Sequence, residues 1–317
     1  MAIYKLGSSG GEVGRVQARL KELGHYLGPL DGAYGGATDA AVRAFQKKTG
    51  LTVDGIVGPD TWRKLFDERP PVPAIASAAL DHKCLALTGT FETNSGPPEC
   101  FAGLSGDFDG QGLSFGALQW NFGQDSLQPL LKEAISEHRP LVRSIFQSQF
   151  DVLAAALAAD KPEQMRFVRS IEHPIKHQIN EPWRGMLKAL GRTAECQSIQ
   201  VKYAARLFQA AKTLAGEYGL KSQRGTALMF DIKVQNGSIS TVTRAQILAD
   251  LAALPAGLGK KQSEVERMTI IANRRAEAAN PRWIEDVRAR KLCIARGEGV
   301  VHGIRYDLGE QFSIKLQ

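Results

Sequence analysis

Two acidic residues, Glu92 and Asp109, stand in settings that suit acid–base chemistry. Glu92 directly follows an apolar stripe with helical spacing, formed by Leu80, Cys84, Leu87 and Phe91. The segment NSGPP, residues 94–98, must end this helix, so Glu92 lies near the negative end of the helix dipole. That position disfavours the ionised form of a carboxyl group, as a proton donor working near neutral pH requires.

Asp109 lies on a glycine-rich segment, DFDGQGLSFGALQ, which spans residues 107–119. Gly110 and Gly112 permit the positive φ angles that a tight hairpin or loop requires. A carboxylate on such a turn can face Glu92 across a groove. Two carboxyl groups that flank a groove are sufficient for glycoside hydrolysis, because one protonates the leaving oxygen and the other activates water or attacks the sugar.

The same residue types permit other interpretations. A DxDG turn also suits a solvated loop or a calcium site, and a single glutamate after a helix is often a surface residue. Other acids could take the second catalytic role, namely Asp107, Glu99 and Glu133. Asp107 is the strongest rival, because a shift within the hairpin would put it in the place of Asp109.

The segments LTGTFE, residues 87–92, and DGQGLSFG, residues 109–116, resemble the catalytic segment of family 46 chitosanases and their lysozyme-like relatives. In those enzymes a glutamate closes the first helix of the catalytic domain, and an aspartate opens a glycine-rich turn. The resemblance implies that Glu92 is the general acid and Asp109 the general base. It also implies that Ser114, where the family has a threonine, helps to place the attacking water.

Further resemblances add candidates for substrate binding. Residues 116–119, GALQ, resemble the Gly-x-x-Gln element of lysozyme-like lytic enzymes, which implies that Gln119 lines the sugar groove. Residues 227–231, with the Gln-Asn-Gly that follows, resemble a chitosanase helix near the groove, and we take Asn236 as a candidate there. Asp107 is a further candidate. Because the resemblance covers a minority of the domain, it does not transfer the substrate.

Residues 8–66 contain an internal repeat, DGxΦGxxT, which begins at Asp31 and again at Asp54. In each copy Asp-Gly favours a turn, a second glycine permits close backbone approach, and threonine can cap a helix. Apolar residues with helical spacing lie on both sides of the first copy. The pattern predicts a compact bundle of three short helices, with turn and cap residues Asp31, Asp54, Thr38 and Thr61.

This repeat, together with the sequences EVGRVQARL, AVRAFQ and VGPDTW, resembles the small peptidoglycan-binding domain of cell-wall hydrolases. The resemblance spans the whole module and implies anchoring to the wall rather than catalysis. Tyr34, Gln46 and Trp62 are the candidates for contact with wall polymer. The alternative is that each of them belongs to the core.

Three prolines within residues 70–73 favour an extended spacer and indicate a domain boundary. We therefore predict a peptidoglycan-binding domain over residues 1–68, a proline-rich linker over 69–74 and a catalytic domain over 75–317. A chain of 317 residues with 43% hydrophobic content is long enough to bury the cores of two such domains.

The chain beyond residue 124 is rich in alanine and leucine and has few strand signals. Helical spacing of apolar residues predicts helices over residues 126–137, 141–159, 162–171, 182–190, 195–218, 226–234, 240–254 and 263–279. The predicted fold is mainly α: a three-helix module is followed by a two-lobed, lysozyme-like helical domain with one small β-hairpin near residues 104–119.

The net charge of +7 suits an acidic polymer or the bacterial envelope, as well as many other proteins. No nucleic-acid-binding motif is recognisable, and no segment reaches the roughly 18 apolar residues that a membrane span needs. The first residues lack a signal-peptide pattern. We expect a monomer made in the host cytoplasm without a signal peptide, which acts on the bacterial wall or periplasm after release, without nucleic acid and without membrane insertion.

His173 and His177 are four residues apart, as helical zinc ligands would be, but Pro174 lies between them and no third ligand is in register. No metal and no cofactor are therefore expected. Cys84 and Cys100 bracket the acidic end of the first catalytic helix and could form a disulfide. The lack of an export signal instead favours four reduced thiols, Cys84, Cys100, Cys196 and Cys293.

Together these features predict a cell-wall lytic glycoside hydrolase of the muramidase or lysozyme type, similar to a phage endolysin or a delivered toxin. Its first domain would bind the glycan strands of peptidoglycan, and its second would cleave their backbone. The alternatives are a lytic transglycosylase, which needs only the glutamate, a chitosanase, and a wall-binding protein without activity.

Overall fold

The computed structural model describes residues 4–8, 11–68, 74–108 and 110–316. It is mainly α-helical with small antiparallel sheets, which confirms the predicted class. The chain divides into two compact units: Met1–Ala78 with Tyr306–Ser313, and Ala79–Arg305 with Ile314–Gln317. Most of the predicted proline-rich linker, residues 69–73, lies outside the described residues.

The first unit contains the three predicted helices, α1 (Gly11–Glu22), α2 (Gly36–Thr49) and α3 (Pro59–Phe66). Pro59 suits the first position of α3, because its missing N–H would have no partner there and its φ is already helical. The apolar faces of the three helices meet in one core that includes Trp62. A 3-10 helix, Ala74–Ser77, and a short helix, Leu308–Phe312, belong to the same unit.

Two buried glutamines explain the repeated DGxΦGxxT motif. The Nε2 of Gln17 donates to Asp31 Oδ1 (2.8 Å) and to the Ala33 carbonyl (3.0 Å). Its Oε1 accepts from the Gly32 N–H (2.9 Å), so one amide binds three groups of the turn. Gln46 makes the equivalent bonds in the second repeat, to Asp54, Gly55 and Ile56. Each glutamine also donates to the motif threonine, Thr38 or Thr61.

Tyr34, Gln46 and Trp62 are buried, with exposures of 2%, 1% and 0%. The Tyr34 hydroxyl donates to the Gly55 carbonyl (2.9 Å), and the ring of Trp62 packs on Phe66 at 4.5 Å between centroids. The structure therefore favours the alternative that the sequence left open for these three side chains, a place in the core. Side chains that are enclosed to this degree present little surface to a ligand.

Replacing Gln46 with leucine should destabilise the first unit by about 2–4 kcal/mol, because the buried N–H of Gly55 and the carbonyl of Ile56 lose their hydrogen bonds to the amide. Hydrogen exchange of residues 36–66 in the full chain, followed by mass spectrometry, measures the loss of stability in this region. Lys47→Leu, at the exposed neighbouring position, is the control. Equal exchange in the two variants would contradict the proposed role of the amide.

The second unit is built from helices joined by short loops. They are α4 (Leu80–Thr93), α5 (Leu127–Glu137), α6 (Arg139–Phe146), α7 (Phe150–Ala158), α8 (Lys161–Ser170), α9 (Trp183–Arg192), α10 (Ala194–Glu217), α11 (Gln223–Asn236), α12 (Thr241–Ala252), α13 (Lys260–Glu277) and α14 (Ile284–Arg296). A large apolar core lies among α5 to α10 and the small sheet before them.

That small sheet is antiparallel, in the order β1 (Leu104–Ser105), β2 (Ser114–Phe115) and β3 (Trp120–Asn121). Phe115 pairs with Leu104 on one side and Trp120 on the other, and its side chain is fully buried. Gly110 and Gly112, in the loop between β1 and β2, have φ of 81° and 73°, as predicted. A second sheet pairs β4 (Glu298–Val301) with β5 (Ile304–Asp307).

Three features of the second unit differ from the sequence predictions. The helix predicted over residues 141–159 is two helices, α6 and α7, separated by the 3-10 turn Gln147–Gln149. Gln147 has a φ of 48° without a glycine or proline to signal the break. Helix α14 and the β4–β5 sheet were not predicted. In α14 the charged residues Arg290 and Lys291 interrupt the buried apolar face.

Helix α4 is enclosed by its neighbours. Every residue from Lys83 to Phe91 is buried, and the helix packs against α10, α11 and the 3-10 helix Glu99–Ala102. Gly89 permits this packing, since a Cβ there would lie 2.9 Å from the Cβ of Ala117. A helix that is apolar on nearly all sides is expected to be buried in this way, and its C-terminal turn is thereby held in a fixed position.

Candidate active site

Helix α4 ends at Thr93, and Asn94 adopts the left-handed conformation with a φ of 55°. This confirms the prediction that the helix stops just beyond Glu92. The Glu92 side chain is 35% exposed and lines a cleft of about 370 Å³. The buried body of α4 therefore presents one partly exposed carboxyl group to a cavity of sugar size.

Arg290 of α14 holds the Glu92 carboxyl group. Its Nη1 donates to Glu92 Oε1 at 2.7 Å, while its Nη2 donates to Asp231 Oδ1 at 2.6 Å. The Arg290 side chain is 2% exposed and that of Asp231 is 0% exposed. One buried guanidinium thus links the carboxyl group at the cleft to an interior carboxylate on α11, and this fixes the direction in which Glu92 points.

Asp231 also binds two other groups. Its Oδ2 accepts from the Nζ of Lys291, which is 0% exposed, and its Oδ1 accepts from the Thr88 hydroxyl of α4 (3.1 Å). The Lys291 ammonium donates further to Gln235 (2.7 Å). Asp231 therefore ties α4, α11 and α14 together, and each interior charge of the cluster has an opposite charge beside it, as burial requires.

The electrostatics of this cluster favour its ionised state. Burial by itself raises the pKa of Asp231, but the charges of Arg290 and Lys291 outweigh it and lower the pKa to about 2. Burial lowers the pKa of Lys291 to about 8, against the opposing effect of Asp231. Burial also acts to lower the pKa of Arg290, yet the Asp231 and Glu92 carboxylates raise it above the ordinary value. Asp231 and Arg290 are therefore charged throughout the neutral range.

Arg290 was not predicted as a site residue, although the sequence contains a signal for it. Val287, Arg290 and Ile294 have helical spacing and are all buried, so a basic residue stands on an apolar face of α14. A charge in that position needs a buried partner of opposite sign. The acid could then have been sought among residues 227–231, which resemble a chitosanase helix and end in Asp231.

The cleft lies between the end of α4, the 3-10 helix Glu99–Ala102, strand β1 and helix α9. Gln119, which was predicted to line the sugar groove, also contributes to it. The charged side chains in its lining are Glu92, Glu99, Lys188 and Arg192. The cleft thus combines acids, amide and hydroxyl groups, and two cations on one helix.

Gln119 is held rigidly in this cleft, with a φ of 53°. Its Nε2 donates to the Gly116 carbonyl (2.8 Å), and its Oε1 accepts from the Ser105 hydroxyl (2.9 Å). A Cβ at position 103 would lie 2.8 Å from Nε2, so Gly103 makes room for the amide. These contacts suit a side chain that orients a polar ligand.

The loop between β1 and β2 contains Asp107 and Asp109. Asp109 lies outside the described residues. The Oδ1 of Asp107 accepts from the Gly112 N–H (2.8 Å), and the Asp107 N–H donates to the buried carboxylate of Glu172 (3.0 Å). Asp107 is not among the described residues that line the cleft. Its carboxylate is used to brace the loop, which weakens its claim to be the second catalytic acid.

The remaining candidates are not among the described residues that line the cleft. Ser114, in β2, pairs with Ser105 and Asn121, and Asn236 is the last residue of α11; neither belongs to the described lining. His177 Nδ1 lies 2.8 Å from the Oε1 of the buried Glu172. Within the described ranges there is no cluster of three metal-ligating side chains.

All four cysteines are buried, and Cys84 and Cys100 are thiols that form no disulfide. Burial raises the pKa of the Cys100 thiol to about 12 and that of Cys196 to about 11. A thiol with so high a pKa is a poor nucleophile at neutral pH. The cysteines therefore serve packing, and the acids of the cleft are the groups available for chemistry.

Comparison with known proteins identifies the first domain. Residues 9–65 match the family model described as a putative peptidoglycan binding domain. This confirms the resemblance found in the sequence. The match ends before the segment that contains Glu92.

Curated relatives match over the same region. The N-acetylmuramoyl-L-alanine amidase CwlM of Mycobacterium tuberculosis is 46% identical over 57 residues, which are 18% of this chain and 14% of the relative. Spore cortex-lytic enzymes are 44% identical over 63 residues in Bacillus cereus (20% of this chain, 24% of the relative) and 45% over 65 residues in Bacillus subtilis (20% and 21%). The chain thus shares its first domain, and no more than about a quarter of their length, with these cell-wall lytic proteins.

Solved structures match over a longer part of the chain at low similarity. A chitosanase complex is 19% identical with a TM-score of 0.43, covering 72% of this chain and 95% of the other. A Burkholderia AP3 phage endolysin is 18% identical with a TM-score of 0.20, covering 74% and 96%. TM-scores this low do not establish a shared fold.

No helix in the described residues is both long enough and apolar enough to cross a membrane.

Proposed function

We propose that this protein is a cell-wall lytic glycoside hydrolase of the muramidase type, which cleaves the glycan backbone of peptidoglycan. The main support is the partly exposed Glu92 at the end of a buried helix, in a cleft of about 370 Å³ on a chain whose residues 9–65 match a peptidoglycan-binding domain. A carboxyl group in a sugar-sized cleft is one part that such an enzyme needs, and a wall-binding domain holds it at its substrate.

Glu92 is the proposed general acid. Arg290 binds its Oε1, and within the described residues Oε2 has no hydrogen-bond partner. Oε2 is therefore the oxygen available to the glycosidic oxygen of a bound glycan. The buried guanidinium also stabilises the carboxylate that forms after the proton has passed to the leaving group.

Asp109 is the proposed general base, and Ser114 helps to place the attacking water. The chain on either side of Asp109 is braced, because Asp107 binds both Gly112 and the buried Glu172. A base that activates water must be held at a fixed separation from the acid, and a braced loop serves that purpose. Gln119 contributes a rigid amide for a sugar hydroxyl or acetamido group.

The first domain keeps the enzyme at its substrate. A wall polymer offers many equivalent bonds, so an anchored catalytic domain meets them at a raised effective concentration. In this proposal the first domain supplies affinity and the second supplies the chemistry.

Digestion of purified peptidoglycan with the full chain, followed by mass spectrometry, tests the reaction. We expect hydrolysed glycan with reducing muramic acid ends. Release of free peptides would instead identify an amidase, which is the activity named for one relative of the first domain. Cleavage of soluble chitosan with no action on peptidoglycan would identify a chitosanase.

Asp109→Asn should lower the rate of hydrolysis by about 10²- to 10⁴-fold, because asparagine cannot take a proton from water. Turbidity loss of exposed walls gives the rate, and Asp107→Asn is the matched control in the same loop. Near-full activity of Asp109→Asn with 1,6-anhydro products would show a lytic transglycosylase, which needs only Glu92.

A further inference from the structure

We propose that Lys188 determines substrate specificity by binding a carboxylate of the glycan, so that the cleft prefers a carboxylate-bearing glycan to a neutral or cationic one. The proposal rests on the proposed function and specifies its substrate class. The carboxylate is one borne by a muramic acid residue, either its lactyl group or the peptide attached to that group.

The geometry places two cations in the cleft that contains Glu92. Lys188 and Arg192 are four residues apart on α9, so they share a face of the helix. Both belong to the lining of the cleft, together with Glu92 and Glu99. A glycan bound at Glu92 therefore passes within reach of α9.

The charges of the lining leave Lys188 without a counter-ion. Glu92 is bound by Arg290 (2.7 Å), and Glu99 lies 3.4 Å from Arg192. Lys188 makes no hydrogen bond or ion pair with the described residues. It is partly buried, so its charge is less screened than that of a fully exposed lysine.

The charge of Lys188 acts on one nearby acid, Glu181. The pKa of Glu181 is lowered mainly by Arg184 and the Gly185 N–H, and Lys188 adds a smaller effect. The Glu181 carboxylate is already bound by Arg184 Nε (2.8 Å) and by the Gly185 N–H (2.9 Å). It is therefore not a direct partner of Lys188. The ammonium group remains available to an anion that enters the cleft.

The chemistry of this arrangement separates two substrate classes. A muramic acid carboxylate gains a charge-assisted hydrogen bond from Lys188, whereas the ammonium groups of chitosan meet a like charge. Specificity then comes from both attraction and repulsion at one position. Arg192 supports this role by neutralising Glu99, which would otherwise attract a cation.

Binding measurements on full-length Glu92→Gln, which prevents turnover, test the proposal by calorimetry. The probes are a peptide-free tetrasaccharide of alternating N-acetylglucosamine and N-acetylmuramic acid, the same compound with its carboxylates converted to methylamides, and the corresponding muropeptide. Each is titrated with and without Lys188→Gln. Lys132→Gln, an exposed lysine of α5 outside the described lining, is the matched control.

Lys188→Gln should raise the dissociation constant for a carboxylate-bearing probe by about three- to tenfold. It should raise the dissociation constant for the methylamide by less than about twofold. Lys132→Gln should change neither. Dependence on Lys188 with the tetrasaccharide assigns the lactyl carboxylate, and dependence with the muropeptide alone assigns the peptide. Equal effects of Lys188→Gln on charged and neutral probes, or no effect, would overturn the proposal.

These results are separable from the proposed function. Carboxylate-dependent binding through Lys188, without cleavage of peptidoglycan by the unmodified chain, would refute the hydrolase and leave the specificity role. Cleavage of peptidoglycan without any charge-dependent effect at Lys188 would refute the specificity role alone.

Discussion

Glu92→Gln should abolish lysis of exposed walls, with a loss of about 10²- to 10⁴-fold or more in rate, while binding to walls is unchanged. The amide cannot donate the proton that the leaving oxygen needs, which is the reason for the loss. It can still accept the hydrogen bond from Arg290 through Oε1, so the cleft keeps its shape. Turbidity loss measures lysis, and sedimentation with purified walls measures binding.

Glu99→Gln is the matched control for this prediction. Glu99 lines the same cleft and pairs with Arg192 at 3.4 Å, but it is not held by the buried guanidinium. Its replacement should leave most of the activity intact. Retained lysis by Glu92→Gln, or an equal loss in both variants, would contradict the assignment of the general acid.

Asp231→Asn should lower the free energy of unfolding by about 3–5 kcal/mol, because the buried Lys291 would lose its carboxylate partner and the buried Arg290 would keep only the partly exposed Glu92. The variant should also lose activity, since an Arg290 released from Asp231 no longer holds Glu92 in one direction. Urea unfolding followed by circular dichroism measures the stability, and the wall assay measures the rate.

Asp250→Asn is the control for this second prediction. Asp250 binds Arg274 through two hydrogen bonds as Asp231 binds Arg290, but its side chain is 34% exposed, so its loss should cost much less stability than the loss of Asp231. Similar losses of unfolding free energy in the two variants would contradict the prediction, because they would show that burial does not make the ion pairs of Asp231 more important for stability.

The pH dependence of stability gives an independent check. The pKa of Asp231 in the folded state, about 2, is below the ordinary value of 3.8. Its stabilisation is therefore complete above roughly pH 4 and is lost as the pH falls toward 2. The difference in stability between the unmodified chain and Asp231→Asn should shrink over that interval.

The sequence by itself determined the local elements that depend on near neighbours. The repeat at Asp31 and Asp54 predicted the turns and the three helices of the first domain, since turn and cap preferences act over a few residues. The same holds for the end of α4 at Thr93 and for the positive φ at Gly110. These features need no knowledge of distant parts of the chain.

The roles of the buried polar residues could not be read in this way. Gln46 looked like a candidate for wall contact, whereas the structure shows its amide holding the turn at Asp54 and Gly55. The sequence does not distinguish a polar side chain that faces solvent from one that forms hydrogen bonds to a buried turn. The difference depends on which other parts of the chain pack against it.

Tertiary structure alone decided how Glu92 is held. Arg290 meets it across 198 positions of the chain, and Asp231, which fixes Arg290, lies on a third helix. Helical spacing reports which face of a helix is apolar, but not which buried charge another helix will supply. That pairing arises only when α4, α11 and α14 pack together, because unpaired charges are costly in the interior and matched ones are tolerated.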